Sequence, residues 1–119
     1  MAVVDLRSQP LVPTPYGRWQ PLNGALGVRA VGVNAIVMDP GEDFDIEHDE
    51  SSSGHQEVYV VVTGRAAFRI GDEEVEGGPG TVVSAPDPAA TRSYRALEPE
   101  TRVVCIGGAP PAEAQPFGE

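Results

Sequence analysis

The run Glu57-Val58-Tyr59-Val60-Val61-Val62-Thr63-Gly64 sets an acid at the head of a strongly β-forming stretch that closes on a glycine. Side chains alternate along a strand, so with Val60 and Val62 on one face, Glu57, Tyr59 and Val61 share the other. A tyrosine and an aliphatic residue make a core-facing set. A carboxylate sent to that face is costly to bury unless a metal, a proton or a hydrogen-bonding ligand compensates it. The alternative is a strand-end glutamate solvated at the mouth of the fold. No Ser-His-Asp set, phosphate loop or dinucleotide fingerprint competes with this acid, and Gly77-Gly78-Pro79-Gly80 is turn chemistry. Cys105 sits on a β-branched run and reads as a small buried apolar residue rather than a nucleophile.

The elements that must hold these residues are short strands. Glycine (14) and proline (12) punctuate β-rich runs, and no long window carries a 3.6-residue apolar period. The prolines at 10, 13, 15 and 21 predict an irregular N-terminal arm over residues 1–22, lying across the domain or a partner subunit with Trp19 as anchor. Strands are expected over 28–38 (with Gly32 as a bulge), 44–48, 57–62, 65–70, 73–75, 81–85, 92–96 and 101–106. Residues 108–119, with Pro110, Pro111 and Pro116, read as an extended tail. Eight or more short strands joined by turns make an all-β sandwich or small barrel, spanning residues 23–107.

A chain of 119 residues is one domain with a real core. Its 18 acidic residues against 8 basic ones give a net charge of -10, which repels phosphate backbones and anionic lipid. No nucleic-acid or membrane partner is expected, and no apolar stretch reaches the length of a membrane span. One cysteine allows no intrachain disulfide, and the start Met1-Ala2-Val3-Val4-Asp5 lacks the marks of a secretory signal. A cytoplasmic protein is expected.

Gly41, His48, Glu57 and Gly64, followed by Pro79-Gly80-Thr81 and Pro86-Asp87-Pro88, resemble the two motifs of the cupins. The resemblance spans about residues 28–107 and implies a double-stranded β-helix, the jelly-roll barrel. It breaks in the ligand set. Glu50 stands where the second histidine of the first motif belongs, and Ser51-Ser52-Ser53-Gly54 lengthens the gap to Glu57. Counting through the second motif, its histidine falls on Thr91 and its asparagine on Arg95, and threonine cannot replace imidazole as a ligand.

What the resemblance leaves as metal ligands is His48, Glu50, His55 and Glu57. Two imidazoles and a carboxylate would suit Fe(II), Mn(II), Ni(II) or Zn(II), whereas one imidazole and two carboxylates would bind more weakly. Without metal, Glu50 and Glu57 facing one cavity would repel, so one of them is expected to be protonated near neutral pH. The alternative is that the histidines merely border a polar loop. Tyr59 is the candidate proton relay. Phe44, Met38, Trp19, Tyr59 and Tyr94 could line an apolar pocket or simply pack the core. Arg92 and Arg95, with Arg102, could hold an anionic substrate or form surface ion pairs. The implied functions are a small metal-dependent enzyme such as a dioxygenase or isomerase, or a non-catalytic binding module holding a small-molecule ligand beside a degenerate metal site. The resemblance also implies a homodimer formed through edge strands or N-terminal arms.

Overall fold

The computed structural model of the chain describes residues 1–42 and 44–109, and of residues 44–48 the backbone alone. Among the described residues the β-rich runs form β1 (Val12–Thr14), β2 (Gly17–Pro21), β3 (Gly32–Met38), β4 (Phe44–His48), β5 (Gln56–Thr63), β6 (Ala66–Ile70), β7 (Glu73–Gly77), β8 (Val82–Ala85), β9 (Arg92–Ala96) and β10 (Thr101–Gly108). A single helical turn, α1 (Asn23–Leu26), interrupts them. The strands make a six-stranded sheet in the order β1-β2-β3-β10-β5-β8 and a four-stranded sheet in the order β4-β9-β6-β7, with every pairing antiparallel.

The inward faces of the two sheets meet in one core. Ile36, Met38, Tyr59, Val61, Val83, Val103 and Cys105 come from the larger sheet, and Ala66, Phe68, Tyr94 and Ala96 from the smaller. Tyr59 bridges them, its ring centroid 5.6 Å from that of Phe68 and 5.2 Å from that of Tyr94. Tilted aromatic pairs at such distances add to the burial of apolar area. The expected jelly roll is what forms.

The N-terminal segment departs from the expected irregular arm. β1 and β2 form a hairpin, and β2 pairs with β3, so the larger sheet extends into this segment of its own chain. Prolines are tolerated because Pro13 lies on the edge strand and Pro21 ends β2, where a missing N–H breaks no interior ladder. Gln20 then pins the preceding chain: its Nε2 donates to the Leu6 and Gln9 carbonyls at 2.8 and 3.1 Å. The strand expected from residue 28 starts only at Gly32. The Asn23 side chain takes over the loop before it, donating to the Val28 and Val31 carbonyls, each at 2.7 Å, and accepting from the Val33 N–H at 2.9 Å. Of the expected tail, residues 110–119 lie outside the described residues.

Candidate functional site

β5 has the phase its sequence predicts. Tyr59 and Val61 are buried on the inner face, and Glu57 joins them with its side chain 14% exposed. The solvated strand-end alternative is thereby set aside. Room for the acid comes from the neighbouring strand: β10 pairs Gly107 with Glu57, and a Cβ on Gly107 would stand 3.1 Å from the Glu57 Cγ.

The compensating charge comes from the opposite sheet. Arg92 opens β9, is fully buried, and places Nη1 2.9 Å from Glu57 Oε1. Its Nη2 donates to the Asp87 carbonyl at 2.7 Å, and Nη1 also reaches the His55 carbonyl at 3.5 Å. The Tyr59 hydroxyl donates to the same Glu57 Oε1 at 2.9 Å, and the Cys105 thiol donates to Oε2 at 3.1 Å. A carboxylate has about four lone-pair positions. Among the described residues three donors fill Oε1 and half of Oε2, so Oε2 keeps one acceptor position.

These contacts set the protonation states. Burial acts to raise the Glu57 carboxyl, but hydrogen bonds from Arg92, Cys105 and Tyr59, with the Arg92 charge, outweigh it and hold the group below its ordinary value. The acid is therefore ionised at neutral pH, and the expected protonation from crowding with Glu50 does not fall on it. Burial and the Glu57 charge push the Cys105 thiol and the Tyr59 hydroxyl up, so both stay protonated as donors. The Tyr94 hydroxyl is raised for the same reasons, burial first.

A cavity of about 180 Å³ opens beside this network, lined by Trp19, Asn34, Ile36, Glu57, Tyr59, Tyr94 and Cys105. Trp19, Tyr59 and Tyr94 thus line it as the sequence allowed, whereas Met38 is core and Phe44 belongs to the strand described by backbone alone. Trp19 is 40% exposed and stands at the opening. A larger hollow of about 410 Å³ lies between β6, β7 and β9, lined by Arg69, Glu74, Glu76 and Arg95 among others. Its charges lie on exposed residues, so only the smaller cavity confronts a buried ionised group.

Of the expected metal ligands, Glu50, His55 and Glu57 fall among the described side chains, and these three form no cluster. The His48 side chain lies outside the described residues, and its backbone is the register partner of Arg92. Glu50 is held by its loop, accepting from the Ser53 hydroxyl at 2.8 Å, although its charge reaches Cys105 and helps raise that thiol. His55 precedes β5 and does not line the cavity. Among the described residues no three His, Cys, Asp or Glu side chains come close enough to share an ion. Among the described residues the donors around Glu57 do not fit a metal either, since a guanidinium already stands beside its carboxylate. Sequence reasoning missed Asn34 as a cavity residue. Its signal was an amide on the same strand face as Ile36 and Met38.

Two facing antiparallel sheets closed around an interior carboxylate define a double-stranded β-helix. The chain has the cupin fold, as comparison with solved structures shows. Against KdgF from Halomonas sp. the TM-score is 0.74 at 16% identity, covering 92% of this chain and 94% of that one. Against a cupin 2 conserved barrel domain protein from Salinispora arenicola CNS-205 it is 0.67 at 20% identity, covering 91% and 88%. An Acidithiobacillus ferrooxidans ATCC 23270 protein provisionally named a sugar phosphate isomerase is 24% identical with a TM-score of 0.62. That match covers 76% of this chain, which spans only 57% of the other protein's length. At these identities the likeness is one of fold. No family model matches the sequence, and no curated protein matches it significantly. No helix among the described residues is long and apolar enough to cross a membrane.

Proposed function

We propose that this protein is a non-catalytic cupin that binds a small, uncharged, hydroxyl-bearing molecule in the cavity between Trp19 and Glu57. One observation carries the reading: an ionised acid neutralised from within by Arg92 still offers an acceptor position on Oε2 beside the cavity. About 180 Å³ is roughly the volume of six liquid waters, which suits a small polyol or sugar-sized compound rather than a cofactor. Asn34 supplies both a donor and an acceptor, and the exposed Trp19 ring supplies a flat apolar wall. The net charge of -10 disfavours an anionic ligand. Tyr59, the expected proton relay, here fixes the acid in place.

Trp19 is the sole tryptophan, so its fluorescence reports directly on the cavity. Titration with a panel of small polyols and monosaccharides is expected to give a saturable change that Asn34→Leu weakens. Native mass spectrometry of tag-free protein showing no retained organic ligand, together with a flat titration, would end this reading.

The metal-dependent enzyme remains a second reading, favoured by the Glu57 carboxylate and the Cys105 thiol, two groups able to ligate a metal that stand 3.1 Å apart beside the cavity. It requires stoichiometric Fe, Mn, Ni or Zn in tag-free protein, lost in a Glu57→Ala variant that still folds. A homodimer belongs to both readings. Its best-suited surface is the outer face of the larger sheet, where Val58, Val82 and Ile106 are exposed and no edge strand need be exchanged.

A further inference from the structure

We propose that Arg92 is a built-in counter-ion: its guanidinium holds, beside Glu57, the place a divalent cation would take, and so keeps the site from loading metal. The inference rests on the metal-independent reading above and adds what enforces it. Arg92 is not a surface side chain that happens to reach inward. It is fully buried and tied to Glu57 Oε1 at 2.9 Å, to the Asp87 carbonyl at 2.7 Å and to the His55 carbonyl at 3.5 Å. Those anchors come from β5, from the loop before β9 and from the loop before β5, so the group cannot swing aside without losing all of them.

The chemistry of the group completes the argument. A guanidinium stays charged at every accessible pH, so it never vacates the acid by deprotonating as an imidazole or amine can. An entering cation would meet that fixed positive charge. To take both carboxylate oxygens it would also have to strip Glu57 of donors from Arg92, Tyr59 and Cys105, and would leave a buried arginine without its counter-charge. The fork is spent on Glu57 and the two carbonyls even though the buried Nε has no acceptor among the described residues. Sequence counting points the same way: Arg92 directly follows Thr91, the position where the second motif's histidine falls. The ligand position itself is thus a threonine, and the permanent cation stands one residue on, at the head of β9.

Equilibrium dialysis of tag-free protein against Zn²⁺, Ni²⁺ and Co²⁺, read by elemental analysis, tests this. Wild type is expected to take up no stoichiometric ion. Arg92→His is expected to bind one equivalent at least about tenfold more tightly than wild type, and to lose it when Glu57→Gln is added. Arg92→Met, similar in length and uncharged, serves if the histidine variant does not fold. Wild type binding one equivalent through Glu57 would overturn the inference, as would folded Arg92→His and Arg92→Met that both stay metal-free. Should neither variant fold, wild type refolded from urea in excess Co²⁺ decides: a metal-free product supports the inference and a loaded one ends it. Fluorescence titration with polyols is scored separately, so loss of ligand binding and loss of metal exclusion are distinguishable.

Discussion

Arg92 Nη1 and Glu57 Oε1 lie 2.9 Å apart and belong to opposite sheets, β9 in the smaller and β5 in the larger. The pair is a cross-sheet tie as well as the centre of the candidate site. Its net worth is modest, because both charges leave water to make it, but removing one partner strands the other.

Glu57→Gln and Arg92→Met are each expected to lower stability, Arg92→Met by about 3 kcal/mol because it leaves an uncompensated buried carboxylate. The double variant is expected to lose clearly less than the sum. A urea-unfolding double-mutant cycle measures this, and simple additivity would show that the two groups are not coupled.

Acid should weaken the protein through Glu57. Its folded-state carboxyl titrates below the ordinary value of 4.5, so on acidification the unfolded chain takes up the proton first. The contribution is complete above about pH 5 and disappears as pH falls through the depressed folded value. Unfolding midpoints between about pH 2 and 7 should therefore fall less steeply in Glu57→Gln than in wild type. Parallel slopes would count against the assignment.

Cys105 should be a poor nucleophile in the folded state. It is buried, donates to Glu57, and burial and the nearby acid push its thiol up. Reaction with a disulfide reagent at mildly alkaline pH should run at least about tenfold slower than in urea. Equal rates would mean that the cavity wall opens freely.

Gly64 closes β5 with a φ of +74°, and a Cβ there would sit 2.7 Å from the Thr101 Cα. Thr101 is buried and its hydroxyl accepts from the Arg65 N–H at 3.1 Å, so it cannot retreat cheaply. Gly64→Ala is expected to cost about 2 kcal/mol in thermal or urea unfolding. A neutral result would place the turn in another conformation.

On the outer face of the larger sheet, Ile106 is the register partner of both Val33 and Val58, and Val60 pairs with Val82, which is 62% exposed. These side chains carry no charge in a chain of net charge -10, so copies meeting here bring no carboxylates together. Light scattering is expected to give a dimer mass for wild type and a monomer mass for Val82→Glu. A monomeric wild type at micromolar concentration rules the surface out.

Much of the barrel was legible residue by residue. Glu57-Val58-Tyr59-Val60-Val61 announces both strand and phase, and β4 and β9 begin and end where alternation and turn residues put them. The hairpin before Pro21 was hidden because local proline chemistry argues against pairing, and only its place at a sheet edge makes that chemistry harmless. Helical Asn23–Leu26 was hidden likewise, since its Asn23 clamp uses partners up to Val33.

By itself the sequence determined that an acid would face the inside of an all-β fold, because strand alternation is a local rule that needs no knowledge of neighbours. Only the tertiary structure determined what neutralises that acid. Arg92 lies 35 residues away along the chain, and which of several arginines meets Glu57 depends on how the sheets face each other. Burial then turns that meeting into a fixed ion pair, because a charge removed from water must keep its partner.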